Sequence, residues 1–148
     1  MNDTIDAAKA AEALGKATTQ VLADMAFIDA PCAPSGSPVP YDVCAAIDVL
    51  KPLSCRLELR MPRSLSDSIV ETLGGGGPSM DDAVLEMVNV LAGAFISEYF
   101  GPGSAIKLEL PMFLYEPADD EATPIAAVRG DAEGTPFEAV IRSVRYRY

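Results

Sequence analysis

The sequence predicts an α+β domain: one antiparallel β-sheet with two long helices packed on it, with residues 1–148 forming a single unit. Three observations carry this. Two stretches, from about Thr4 to Phe27 and from Ser79 to Phe100, repeat their apolar residues at helical intervals. Other stretches repeat them every second residue, the period of a half-buried strand. The order is helix, two strands, short helix, long helix, three strands, which is not the one-by-one alternation of a parallel sheet. With 148 residues, 49% of them apolar, the chain can bury a substantial core.

Taken in order, the first helix is Ala-rich and turns Leu14, Val21, Leu22 and Met25 toward the core. Asn2, Asp3 or Thr4 could cap it, and Gly15 weakens its middle. The segment DAPCAPSGSPVP that follows, dense in Pro, Gly and Ser, reads as an irregular loop. A first strand, Tyr41 to Leu50, places Tyr41, Val43, Ala45, Ile47 and Val49 on one side. After the turn at Lys51-Pro52, a second strand, Leu53 to Met61, places Leu53, Cys55, Leu57, Leu59 and Met61 on one side, with Ser54, Arg56, Glu58 and Arg60 on the other. Pro62 ends it, and Ser64 with Asp67 starts a short helix. The glycine run Gly74 to Gly77 lacks the Lys-Ser/Thr of a phosphate-binding loop and reads as a joint between helices. Beyond the long helix, Gly101-Pro102-Gly103 is a stop. Ile106 to Tyr115 then alternates Ile106, Leu108 and Leu110 inward until Pro111, which means an edge, a bulge or the end of pairing. Two strands, Ile125 to Arg129 and Phe137 to Tyr148, close the chain around the segment GDAEGTP. The Arg residues of the final RSVRYRY, alternating with Tyr, read as solvent-facing strand positions.

Composition excludes several functions. A net charge of −11 opposes binding to nucleic acid or to anionic membranes through bulk electrostatics. No apolar run approaches the roughly 20 residues of a membrane span, and the acidic start MNDTIDAAKA is not a secretory signal. Cys32, Cys44 and Cys55 form no CxxC pair and no even disulfide framework, Cys44 and Cys55 fit as small core residues, and a reducing cytoplasm is the natural compartment. The absence of histidine removes Ser-His-Asp and Cys-His catalysis and His-ligated zinc. Any chemistry must come from carboxylates, amides, hydroxyls or a partner's groups.

The long helix is where such chemistry concentrates. Val84, Val88, Leu91, Phe95 and Tyr99 recur at spacings of four, three, four and four, with Leu85, Ala92 and Ile96 widening the apolar face. Asp82, Glu86, Asn89, Gly93 and Ser97 repeat the same spacing on the opposite side. A merely solvated face is usually filled with mixed charges and good helix formers. This one has no cation, an Asn and a Gly, and the Gly costs about 1 kcal/mol relative to Ala. Taken singly, Asp82 could be a capping-box acid with Ser79, Glu86 a dipole-favoured acid, and Gly93 a helix-crossing contact. As one stripe they point to function.

The stripe and its surroundings resemble the CheC/CheX/FliY family of chemotaxis phosphatases, and within it the CheX type. The family pattern is an acid or Ser, three residues, Glu, two residues, Asn, and a Pro about two dozen residues on; here it falls on Asp82, Glu86, Asn89 and Pro111. Gly93 also suits it, as does the order of hairpin, short helix, motif helix and Pro-ended strand over residues 41–115. The spacing departs by one: 21 residues separate Asn89 from Pro111, one fewer than in the family pattern. The resemblance implies a catalytic pair, Glu86 and Asn89, with Asp82, Gly93 and Pro111 supporting catalysis or docking. The substrate would be the aspartyl phosphate of a phosphorylated CheY-type receiver domain. Asn89 would orient the attacking water and Glu86 would engage a receiver lysine. Mg2+ would be supplied by the receiver, with no cofactor of the chain's own. It also implies a homodimer joined through sheet edges. A second reading is a non-catalytic adaptor that binds a receiver or another chemotaxis protein through the same face. A third, an unrelated domain with a chance Glu-x-x-Asn, predicts that the stripe lies in the core.

Overall fold

The structure, a computed structural model, describes residues 5–34, 39–74, 80–115 and 124–143. The caps expected at Asn2, Asp3, Thr4 and Ser79, the glycine joint beyond Gly74, the acidic loop 117–122 and the chain after Ser143 lie outside these residues. Three helices, α1 (Ala7–Ala26), α2 (Arg63–Gly74) and α3 (Met80–Phe100), accompany seven strands among the described residues. The strands are β1 (Cys32–Pro34), β2 (Val43–Lys51), β3 (Cys55–Met61), β4 (Lys107–Leu108), β5 (Met112–Phe113), β6 (Ala126–Ala132) and β7 (Thr135–Arg142). They form one antiparallel sheet in the order β1-β6-β7-β3-β2-β4, with β5 also on β2. The predicted α+β class with two long helices on an antiparallel sheet is the observed one.

The helices cover one face of the sheet because the strands alternate. Cross-strand rows Ala45–Leu59–Ala139–Val128 and Ile47–Leu57–Ile141–Ala126 run under α1 and α3 and form the core floor. Leu14, Val21 and Leu22 of α1 fill it as predicted, with Met25 at its margin. The cap of α1 is Asp6, whose Oδ1 accepts the Lys9 N–H at 3.1 Å. That corner is tied to the end of α3: the Asp6 N–H donates to the Tyr99 hydroxyl at 3.0 Å, and the Lys9 ammonium lies over the Tyr99 ring, 4.6 Å from its centroid.

The structure corrects the reading at several places. Cys32–Pro34, inside the supposed irregular loop, is an edge strand paired to β6; an edge tolerates Pro34 because its missing N–H can face away from the ladder. The start of α2 is capped by Asp42, whose Oδ1 accepts the Arg63 N–H at 2.6 Å, so Ser64 and Asp67 do not begin it. The segment GDAEGTP is mostly strand, and the turn is only Glu133-Gly134, both at positive φ (54° and 96°), the geometry that suits the twist of a two-residue hairpin. Ile106 and Leu110 point out rather than in, 38% and 85% exposed, because pairing to β2 shifts register beside Val49 and stops at Pro111. Arg142, expected to face solvent, is 11% exposed at its side chain and sits 3.1 Å from the Glu58 carboxylate.

That last contact belongs to the sheet's second face. Arg60 reaches Glu58 Oε1 through Nη2 at 2.7 Å and Nε at 3.0 Å, and Glu138 at 3.5 Å. Arg56 meets both Asp48 oxygens at 2.7 and 3.2 Å. Glu58 is fully buried and Asp48, Arg60 and Glu138 nearly so. Burial works against the Arg60 charge, but the Glu58 carboxylate, helped by Tyr41 and Cys44, outweighs it, so the guanidinium's pKa is raised. Cys44 joins this face, its Sγ 3.8 Å from Glu58 Oε1, rather than the apolar core expected for it.

The thiols are correspondingly unequal. Burial pushes Cys44 up to about 11 and Cys55 to about 12, and raises half-buried Cys32 as well. A raised thiol pKa withholds the reactive thiolate. Near neutral pH the native protein should therefore react with a thiol reagent at Cys32 alone, and slowly. All three cysteines should react in denaturant. Counting thiols released with time under both conditions checks this.

Candidate functional site on helix α3

The core fixes the rotation of α3. Val84, Met87, Val88, Leu91, Ala92, Phe95 and Ile96 are each 1% exposed or less, and Tyr99 is buried. They pack on β2 and β3 on one side and against α1 and α2 on the others. By composition the helix is long and apolar enough to cross a membrane, yet its apolar side is consumed by this core.

Seven core anchors on one side leave the opposite side outward. Asp82, Glu86 and Ser97 are exposed, and Asn89 and Gly93 are half-buried. Glu86 and Asn89 stand about 4.5 Å apart along the axis and about 60° apart around it, close enough to act on one partner group. Among the described residues, none of the Asp82, Glu86 and Asn89 side chains is engaged in a hydrogen bond or ion pair. A Cβ added at Gly93 would meet nothing within 4 Å. The helix-crossing explanation of Gly93 therefore fails, and so does the reading that places the stripe in the core.

The structure thus brings Asp82, Glu86, Asn89, Gly93 and Ser97 onto one open face. Pro111 is elsewhere, on the sheet edge. The Glu109 N–H donates to the Asp48 carbonyl at 2.9 Å and the Leu114 N–H to the Cys44 carbonyl at 2.8 Å, so Pro111 falls in the break between β4 and β5. Sequence reasoning passed over Val90, which is 38% exposed beside this stripe. Its signal was available: at 100° per residue, position 90 falls off the apolar arc.

The face is convex. A cavity of about 100 Å3 lies between the start of α2, β5 and Val84, and a groove of about 850 Å3 lies between α1 and β1. None of the five stripe residues lines either. Small-molecule sites are concave, so this arrangement suits a macromolecular partner whose own cleft receives the side chains. Among the described residues, no group of three or more Cys, Asp or Glu is placed to hold a metal ion. An amide can donate to and accept from one water molecule, and a neighbouring carboxylate can pair with a cation.

No family model matches the chain, and no curated protein matches it by sequence. Solved structures do match by fold. The chemotaxis protein CheX from Desulfovibrio desulfuricans is 17% identical, superposes with a TM-score of 0.71, and the match covers 90% of this chain and 97% of that one. CheX in a CheX–CheY–BeF3–Mg2+ complex from Borrelia burgdorferi is 18% identical, with a TM-score of 0.69 over 94% of this chain and 98% of that one. FliY from Thermotoga maritima is similar over 88% of this chain and 84% of its own, at 18% identity and a TM-score of 0.57. The chain therefore has the fold shared by these CheX and FliY structures, the fold of the CheC/CheX/FliY family.

Proposed function

We propose that this protein hydrolyses the aspartyl phosphate of a CheY-type response-regulator receiver domain in chemotaxis signalling. Asn89 enters the receiver's site and holds a water in line with phosphorus, accepting one of its hydrogens and fixing its lone pair toward the phosphoryl group. The water oxygen bonds to phosphorus, the bond to the aspartyl oxygen breaks, and inorganic phosphate leaves with the receiver's carboxylate restored. Glu86 pairs with a receiver lysine and sets the approach. Asp82 and Gly93 support docking on the same face, and Pro111 shapes the neighbouring sheet edge. Mg2+ comes with the receiver, and the protein acts as a homodimer.

The observation that carries this reading is the open helix face on which Glu86 and Asn89 have no hydrogen bond or ion pair among the described residues, with space at Gly93 between them and Ser97. Phosphoryl transfer asks mainly for positioning and electrostatics, so an amide and an acid suffice without a histidine. The similar CheX captured with CheY, BeF3 and Mg2+ supports the choice of partner, since beryllofluoride stands in for a phosphoryl group. The test is phosphate release from a Mg2+-loaded, phosphorylated receiver domain with and without this protein, using wild type and Asn89→Ala. Acceleration by wild type that collapses in the variant supports the reading. Binding without acceleration would leave only an adaptor.

A further inference from the structure

Val90 is a branched aliphatic side chain on the outside of a helix whose other large apolar residues are nearly all inside, and it is 38% exposed. By helical geometry it lies about 40° around the axis from Glu86 and about 100° from Asn89. Glu86 is therefore flanked by the amide on one side and by Val90 on the other. Ala83 and Ala94, both half-buried, continue the apolar flank above and below Val90, while the other side of Glu86 carries Asp82, Asn89 and Gly93. The face is thus two-sided, polar along one edge and aliphatic along the other. Val90 lies outside the buried core cluster, to which Val84, Met87, Val88 and Leu91 belong.

We infer that Val90, with Ala83 and Ala94, is the apolar half of the docking surface and seats an aliphatic or aromatic side chain on the rim of the receiver's phosphorylation site. This rests on the proposed function, because the occupant is the partner that Glu86 and Asn89 address. Two physical arguments select it. An exposed acid and cation in water attract weakly, and an apolar contact that excludes water beside Glu86 strengthens that pair. An apolar contact on one side only also favours one seating of the partner on α3 over the others, which adds affinity without touching the phosphoryl group. Val90 is accordingly a positioning residue, and its effect belongs in affinity rather than in the chemical step.

The test measures both the Kd for a receiver domain loaded with Mg2+ and beryllofluoride and steady-state dephosphorylation, for wild type, Val90→Thr, Val90→Asp and Asn89→Ala. Threonine keeps the shape and β-branching of valine and removes only apolar character. The expected result is a rise in Kd and KM of roughly fivefold for Val90→Thr and at least about tenfold for Val90→Asp. In both, kcat should stay near wild type, and in Val90→Thr the melting temperature should be unchanged. Asn89→Ala should show the opposite split, with binding kept and turnover lost. Val90 variants that bind within twofold of wild type, or that lose affinity only by melting lower, overturn the inference while leaving the phosphatase reading in place. Wild type that binds the receiver without accelerating hydrolysis, with binding lost in Val90→Asp, upholds the surface and overturns the phosphatase. A wild type that binds no phosphorylated receiver overturns both.

Discussion

Asn89→Ala is expected to lower kcat for receiver dephosphorylation by a factor of about 10²–10³, the usual loss when one preorganised polar group is removed from a reacting centre. The same change should leave folding intact or improve it. Asn89 makes no hydrogen bond within the described residues, its side chain is only half-buried, and Ala is a better helix former by about 0.5 kcal/mol or more. Activity and stability are thus expected to move in opposite directions, which a structural role for Asn89 could not produce. Asn89→Asp sharpens the point. It keeps the size, replaces the NH2 donor with negative charge facing a phosphoryl group, and should fail as completely as alanine. Single-turnover rates on pre-phosphorylated receiver, with thermal melts of each variant, check both halves. A kcat within threefold of wild type in Asn89→Ala would remove the residue from the mechanism.

The second large effect lies on the far side of the sheet and concerns stability alone. Glu58→Ala should destabilise the fold by about 3–5 kcal/mol, because it leaves buried guanidinium charge without its carboxylate. Glu58 holds Arg60 through a single oxygen shared by Nε and Nη2, while its other oxygen sits 3.1 Å from Arg142. A loss of that size is a large share of the 5–15 kcal/mol by which domains are usually stable, and it should lower Tm by on the order of 10 °C. The contrast is a fourfold replacement, Glu58→Leu and Glu138→Leu with Arg60→Met and Arg142→Met. Removing all the charges together relieves the desolvation and should recover most of the loss. Denaturant unfolding at constant m reads both. A Glu58→Ala variant within 1 kcal/mol of wild type would mean that the network is far more hydrated than its burial indicates.

These two predictions also mark what was legible in the sequence. The stripe could be read because α3 has a full-length apolar arc; once Val84 through Tyr99 are assigned inward, everything at Asp82, Glu86, Asn89 and Gly93 must face out. The network at Glu58 could not be read. Alternation along β3 separates Leu57 and Leu59 from Arg56, Glu58 and Arg60, but it does not say whether the second face is wet. Charged residues at strand positions look solvated until β7 supplies Glu138 and Arg142 across from them, and that pairing is between segments about 80 residues apart. The short edges were hidden for a related reason. Three-residue β1 and two-residue β4 and β5 have too few residues to show any period, so Pro and Gly dominated the reading of β1, and Leu110 was assigned to a face it does not occupy. Val90 was missed because attention went to polar residues on the outer face.

The empty space over Gly93 has a consequence for anyone improving this protein. Alanine there meets no atom of the described residues within 4 Å and should gain up to about 1 kcal/mol in a helix interior. A selection for heat resistance should therefore enrich Gly93→Ala, whereas a selection for signal termination in cells should purge it, since the added methyl group occupies the room a partner's backbone needs. Running the same library through both screens would show, from the disagreement at this one codon, how much folding stability the helix gives up for its guest; enrichment in both would mean that no guest comes close.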